Sequence, residues 1–415
     1  MFSQLDSKIK QYLVVTANYW AFTLTDGALR MLVVLHFHQL GFGALDIALL
    51  FLFYEFFGVV TNLVGGWLGA RIGLNRTMQI GLILQVLALL MLTVSVDMLT
   101  VAWVMAAQAL SGVAKDLNKM SAKSSVKHLV PEDSPGKLFQ WVALLTGSKN
   151  TLKGVGFFLG AFLLATVGFT NAMWIMAAAL TIAAMVSVML LKQDIGRASF
   201  KPKFSDIFSK SQNINLLSLA RLFLFAARDI WFVVALPVFL SAQLHWDAWN
   251  VGAFMASWVI AYGVVQGSAP KLLALSKAKK KAKAKANTHP AFHWGLRLTL
   301  VTVLLAMAMA IQGEDLSYLD ITLIIGLIFF GICFAINSSI HSFLIVSLAK
   351  ADGVSLDVGF YYMANAMGRL IGTILSGYLY QYHGLLVCLW GSALMLLLAT
   401  VLVKFVPSPK LEAIK

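Results

Sequence analysis

Runs of about twenty apolar residues recur from end to end of this chain, the length that the hydrocarbon core of a bilayer demands of a helix. Eight basic side chains lie inside those runs: Arg30, Lys115, Lys119, Lys149, Lys153, Arg221, Arg228 and Arg369. A cation at the centre of a membrane helix costs roughly 2.5–3.5 kcal/mol, so eight facing lipid would cost roughly 20 kcal/mol or more. The chain must therefore fold so that these groups face water, meet acids or hold an anion. The acids within the same runs are Asp26, Glu55, Asp116 and Asp229. About four positive charges are left over, a surplus that points to a multiply charged anionic substrate.

Composition supports an all-α membrane protein. Of 415 residues, 60% are hydrophobic and 12% charged, and the mean hydropathy is +0.82. A soluble chain of this length needs far more polar surface. Residues 1–11 are polar, and the first apolar run continues through Asp26 and Arg30 without an A-x-A site. No cleavable signal is expected, and the N-terminus is expected in the cytoplasm. The net charge of +14 is explained by the positive-inside rule rather than by nucleic acid. The only cysteines, Cys333 and Cys388, lie in apolar runs, so neither a structural disulfide nor a thiolate metal site is expected.

Twelve transmembrane helices are predicted, centred near residues 24, 56, 86, 108, 152, 180, 227, 260, 303, 332, 369 and 394. Trp20, Trp103, Trp174 and Trp390 fall near span ends, where aromatic belts form. With the N-terminus inside, the cytoplasmic set holds Arg71 and Arg76, Lys123, Lys127 and Lys137, Lys192 to Lys210, Lys277 to Lys285, Lys350, Lys410 and Lys415. The external set holds His36, His38, Asp97, Asp247, Glu314, Asp315 and His383, and is almost free of Lys and Arg. From that asymmetry, both termini of a multi-pass membrane protein are expected in the cytoplasm. The Lys277–Lys285 run reads as a solvated basic loop near lipid headgroups.

The longest central hydrophilic stretch divides the spans six and six. The expected organisation is an N-terminal six-helix half over 1–191, a cytoplasmic loop over 192–215 and a C-terminal six-helix half over 216–415. This layout, two pseudo-symmetric halves joined by a loop, resembles the major facilitator superfamily. The loop after span 2, Gly65-Gly-Trp-Leu-Gly-Ala-Arg-Ile-Gly-Leu-Asn-Arg76, resembles that superfamily's G-x-L-x-D-R-x-G-R-[RK] signature. Gly66, Gly69 and Gly73 permit close helix approach. Arg71 and Arg76 stand where the signature is basic, and Ala70 replaces its acid. Gly147, Gly156 and Gly160 on span 5 resemble the exporters' antiporter motif, with Phe157 in place of proline. Simple glycine packing is the competing reading, and both stay open.

Spacing groups the cations by helix face. Asp26 and Arg30 are four apart, as are Lys115 and Lys119, and Lys149 and Lys153; Arg221 and Arg228 are seven apart. In the superfamily, spans 1, 4, 7 and 10 line the cavity and the substrate sits near the midplane between the halves. All eight cations are therefore expected to bind substrate, with Arg30 and Arg228 clamping it as bidentate forks and the lysines adding point charge. Structural ion pairs are the competing reading: Asp26 with Arg30, Arg228 with Asp229, and Asp116 with Lys115 or Lys119. Glu55 is the first candidate for carrying a coupled proton, because no cation is near it in sequence. Asp26 follows, then Asp229 and His341. No catalytic constellation, phosphate loop or metal-ligand cluster is apparent, so no enzyme, cofactor or metal is expected.

Four longer segments are more specific: Asn18–Arg30, Gly112–Lys123, Thr146–Gly156 and Ala227–Phe232. They resemble those of the organoarsenical efflux permease (ArsJ) family, and the likeness covers nearly the whole chain. The resemblance implies export of 1-arseno-3-phosphoglycerate and hence arsenate resistance. It also implies a functional link to a glyceraldehyde-3-phosphate dehydrogenase, which makes the ester inside the cell. Such a substrate carries about three to four negative charges at neutral pH, matching the cation surplus. An organophosphate/phosphate antiporter would use the same cations. A drug/proton antiporter would instead want an acidic or aromatic cavity.

Overall fold

A computed structural model describes residues 7–41, 50–130, 135–191, 195–199, 203, 206, 211–246, 248–280, 289–312 and 318–407. Among these residues every regular element is a helix. The elements are α1 (Ser7–Gln39), α2 (Leu52–Ile72), α3 (Leu74–Met91), α4 (Val101–Leu129), α5 (Pro135–Val167), α6 (Phe169–Leu190), α7 (Gln212–Phe232), α8 (Ala235–Ala242), α9 (Ala248–Lys280), α10 (Pro290–Gln312), α11 (Leu319–Leu348) and α12 (Val354–Lys404). Every predicted span centre falls inside one of them.

Two breaks reconcile the elements with twelve spans. Helices α7 and α8 form one crossing. The interruption at Val233 and Val234 has a cause in Pro237, whose ring displaces the carbonyl four residues back. Ser376 Oγ then accepts the freed N–H of Ala235 at 3.1 Å. Helix α12 holds two crossings joined at Gly384, whose φ of 76° and ψ of −178° are non-helical and suit glycine. Gly73, at φ 100°, turns the chain between α2 and α3 in the same way.

Long and apolar enough to cross a membrane by composition are α3, α5, α6, α7 with α8, α9, α10, α11 and α12. The helices α1, α2 and α4 are not in that group. They are also the ones that carry Asp26 and Arg30, Glu55, and Lys115, Asp116 and Lys119. Charge has been traded for apolarity there, which lipid-facing helices do not tolerate. By contrast α6 exposes Trp174, Ile182, Met185, Val188 and Met189, an apolar face that suits acyl chains.

By internal contacts the chain divides into two compact units. The first comprises Met1–Ser134, Ser148–Ser209 and Ala349–Met363; the second comprises Pro135–Gly147, Lys210–Leu348 and Ala364–Lys415. In the first unit α4 packs against α1, α2 and α3, and α6 packs against α1 and α3. Its core runs through Phe22, Leu32, Phe37, Leu82 and Phe169. In the second unit α11 packs against α7, α9 and α10, around Trp231, Trp258, Phe330 and Phe334. The ends of several loops expected to carry charge, Lys192, Lys201, Lys210, Asp247, Lys281 to Lys285, Glu314, Asp315, Lys410 and Lys415, lie outside the described residues.

The glycines of span 5 make helix crossings. A Cβ on Gly156 would stand 2.7 Å from Leu24 O, and one on Gly160 2.4 Å from Ala28 O, both on α1. A Cβ on Gly147 would stand 2.3 Å from Gly267 N on α9. The turn after α2 is held by backbone. Gly66 lies against Ser355, whose Oγ donates to Gly66 O at 2.7 Å. Ala70, where the signature carries an acid, is buried. Its carbonyl accepts from Ala198 N at 2.8 Å, while Leu74 N donates to Ile195 O at 2.9 Å. Ser199 continues this strap by donating to Asp352, its N at 2.8 Å from Oδ1 and its Oγ to Oδ2. Arg71 lies on the exposed surface with its guanidinium 5.0 Å from the Trp67 ring, and Arg76 is exposed on α3.

Candidate functional site

The first unit gathers its charge around α4. Lys115, Lys119 and Lys123 recur every four residues, so they climb one helical face in steps of about 6 Å. Asp116, 1% exposed, serves two of them: its Oδ2 lies 4.0 Å from Lys115 Nζ, and its Oδ1 accepts from Lys119 Nζ. Aromatic faces take up the remaining positive field. Lys115 Nζ sits 3.7 Å from the Tyr54 ring centroid, and Lys119 Nζ 5.0 Å from that of Tyr362. A desolvated ammonium over a ring gains about 2 kcal/mol, comparable to a charged hydrogen bond.

Arg30 and Asp26 share a face of α1 but not a bond. Arg30 Nη2 reaches Glu55 Oε1 at 3.2 Å, with the two side chains 27% and 29% exposed. Its guanidinium lies 5.0 Å from the Phe51 ring and 4.9 Å from that of Tyr54. Asp26 instead accepts from the Tyr54 hydroxyl at 2.6 Å. So Glu55, which has no cation near it in sequence, has one in space, and the local Asp26–Arg30 pair is replaced by two cross-helix contacts. Lys149 and Lys153 are half-buried on α5. Lys149 Nζ is 3.4 Å from Asn150 Oδ1, and Lys153 Nζ is 6.0 Å from the Phe157 ring.

The second unit is built on arginine. Asp229, wholly buried, takes Nε of Arg228 at 2.5 Å on one oxygen and Nε of Arg369 at 3.3 Å on the other. Arg228 is 17% exposed and lies 4.8 Å from the Phe225 ring and 5.5 Å from that of Phe334. Among the described residues nothing hydrogen-bonds its two Nη groups, so the open end of its fork remains available. One carboxylate between two guanidiniums leaves a net positive site whose donors are fixed in plane. Arg221 is different: 2% exposed, it donates Nε to Asn365 Oδ1 at 2.9 Å and Nη1 to Ser338 O and Oγ at 3.2 and 3.0 Å. These hydrogen bonds go to neutral oxygens of α11 and α12, and its guanidinium lies 4.1 Å from the Phe225 ring. His341 is buried on α11 beside Asn337, Ser338, Ser339 and Ser342.

Sequence reasoning missed Lys123, assigning it to a cytoplasmic loop. Helix α4 continues to Leu129, and Lys123 is 4% exposed with its Nζ 2.6 Å from the Tyr362 hydroxyl. Its i+8 spacing from Lys115 was the available signal. Cys333 and Cys388 are free and buried, and no cluster of metal-ligating side chains occurs among the described residues.

Comparison with known proteins fixes the family. No curated protein matches the sequence. Among solved structures, the human organic anion transporter MFSD10 (TETRAN) is similar with a TM-score of 0.72 at 15% identity, over 94% of this chain and 98% of that one. A bacterial homologue of the iron transporter ferroportin in the outward-facing state aligns with a TM-score of 0.71 at 15% identity, over 96% and 99%. The transporter FucP in the outward conformation aligns with a TM-score of 0.73 at 11% identity, over 97% and 100%. At these identities the likeness is one of fold. The family pattern described as Major Facilitator Superfamily matches residues 12–287, and with that the chain belongs to this superfamily of membrane transporters.

Proposed function

We propose that this chain is a secondary active exporter of a multiply charged organoarsenical, 1-arseno-3-phosphoglycerate, and so confers resistance to arsenate. The observation that carries the reading is the Arg228–Asp229–Arg369 arrangement. A wholly buried carboxylate holds two guanidiniums, and one fork keeps its Nη groups without hydrogen bonds. Bidentate donors of this kind match tetrahedral oxyanions. Arg30, Lys115, Lys119, Lys149 and Lys153 supply further charge, and the segments resembling organoarsenical efflux permeases contain most of these residues. The protein works in a bacterial inner membrane with both termini in the cytoplasm. There a glyceraldehyde-3-phosphate dehydrogenase provides the substrate. Coupling to protons runs through Glu55 or Asp26, with Asp229 and His341 as the other ionisable groups of the spans.

Uptake into everted vesicles tests this. Arsenate, glyceraldehyde-3-phosphate and the dehydrogenase are supplied together, then each is omitted in turn. Arsenic accumulation that needs all three is expected. Accumulation of glycerol phosphate against phosphate, with no arsenic uptake, would establish an organophosphate antiporter instead. Uptake of lipophilic cations alone would establish a drug/proton antiporter.

A further inference from the structure

Tyr54, buried on α2, meets an acid and two cations at once. Its hydroxyl donates to Asp26 Oδ1 at 2.6 Å. Its ring centroid lies 4.9 Å from the Arg30 guanidinium and 3.7 Å from Lys115 Nζ. Lys115 is thus nearer to that ring than to Asp116, whose Oδ2 is 4.0 Å away. The crossing of α2 and α4 fixes this geometry. A Cβ on Gly112 of α4 would stand 2.6 Å from Tyr54 O, an approach of backbones that glycine permits. Lys115 follows Gly112 by three residues, close to one helical turn, and so comes down over the ring.

We propose that Tyr54 is a positioning residue for anion binding: Asp26 anchors its hydroxyl, and its ring sets Arg30 and Lys115 for the substrate. The inference rests on the anion-export reading above and deepens it. Asp26 and Arg30, which share a face of α1 without bonding, are joined through this ring. A carboxylate cancels the charge of the cation it holds. An aromatic face attracts a cation through its quadrupole and leaves the full positive charge in place. A phenol that donates to a carboxylate is polarised by it, and its ring draws cations the more strongly. Tyr54 therefore orders two cations without spending their charge, which an anion then meets in a fixed arrangement.

The test measures the affinity of the full chain, purified in detergent, for glycerol 1,3-bisphosphate, a stable molecule with two tetrahedral oxyanions. Y54L removes the ring face and should weaken binding about tenfold; Y54F keeps the face, loses the anchor on Asp26, and should weaken it about threefold. A double-mutant cycle supplies a readout that a ring serving only to fill space would not move. In a K115M or R30M background one of the two cations is already gone, so Y54L should cost about threefold rather than about tenfold. Thermal melting of each variant without ligand reports its folding. Should Y54L not assemble, Y54F, which removes a single oxygen, takes its place in the same cycle. An undiminished loss in both backgrounds overturns the inference, because Tyr54 then acts through neither cation. Unchanged affinity in the folded Tyr54 variants overturns it as well, and both results leave the exporter reading standing. No binding of the bisphosphate by the wild-type chain overturns the anion reading and the inference together.

Discussion

The two units bury positive charge by different means. The first relies mainly on lysines, those of α4 meeting tyrosine faces and the shared carboxylate of Asp116, and holds its one intramembrane arginine, Arg30, on Glu55. The second concentrates arginines on a wholly buried Asp229 and on neutral oxygens of α11 and α12. Lysine is a compact, mobile point charge that sheds its proton when poorly solvated, whereas arginine stays charged and imposes a planar geometry. The lysine arrangement therefore tolerates movement of the charge it holds, and the arginine arrangement fixes direction. For the anion export proposed above the contrast is useful: one unit offers an adjustable field and the other a rigid grip.

The largest expected effect tests that rigidity. Asp229→Asn leaves the half-buried Arg228 and Arg369 without their wholly buried carboxylate, and removing a buried ion-pair partner costs about 3–5 kcal/mol. Asp116→Asn should cost less, about 1.5–3 kcal/mol, because its lysines also have the aromatic faces of Tyr54 and Tyr362 to rest on. Thermal unfolding in detergent compares the two variants. A larger loss for Asp116→Asn would show that the first unit, not the second, is the rigid one.

Next comes transport. Arg228→Lys removes the fork while keeping the charge, and should lower transport in everted vesicles by about 10- to 100-fold, the value of one charged hydrogen bond. Lys119→Arg keeps a charge where only a charge is required, and should lose less than about threefold. Equal losses would erase the distinction between grip and field. The proposed proton coupling sharpens it further. The Arg30–Glu55 pair is 27% and 29% exposed, while Asp229 is wholly buried, so water reaches Glu55 more readily. Glu55→Gln should abolish uphill transport and leave downhill exchange within about twofold, since neutralising one acid removes no substrate hydrogen bond. Uphill transport retained in both Glu55→Gln and Asp26→Asn moves the coupling elsewhere.

Sequence carried the fold and the excess of buried cations, because span length and the cost of charge in lipid are properties of single segments. It carried the local pairs, Asp116 with Lys115 and Lys119 and Arg228 with Asp229, but not the distant ones. Helical periodicity relates residues three, four or seven apart, whereas Arg30 meets Glu55 at 25 residues' separation and Asp229 meets Arg369 at 140. Asp26 and Arg30 share a face and still bond to different helices. Lys123 was hidden for another reason: near a predicted helix end, a lysine normally reads as a solvated positive-inside residue. Only the position of Tyr362, 239 residues away, makes it part of the buried ladder.

The smallest effect concerns charge outside the membrane and calibrates the rest. Asp352 is fully exposed between α11 and α12, and it accepts from both Ser199 Oγ and Ser199 N. Those two hydrogen bonds, the side-chain one foremost, hold its carboxyl below the ordinary value of 3.8. A carboxylate whose value is lower folded than unfolded stabilises the fold above the unfolded value and loses that contribution as pH falls through the folded one. The strap over Ile195–Ser199 should thus keep constant amide-exchange protection from neutral pH down to about 4 and loosen below it. Asp352→Asn should loosen the strap throughout, with no acid transition of its own. Because this contact is exposed, raising the salt to about 1 M should shrink the difference between wild type and variant. The deficit of Asp229→Asn, buried and poorly screened, should stay where it was. A salt response shared by both variants would mean that Asp229 is reached by ions, and its unit would then hold a hydrated site rather than a rigid grip.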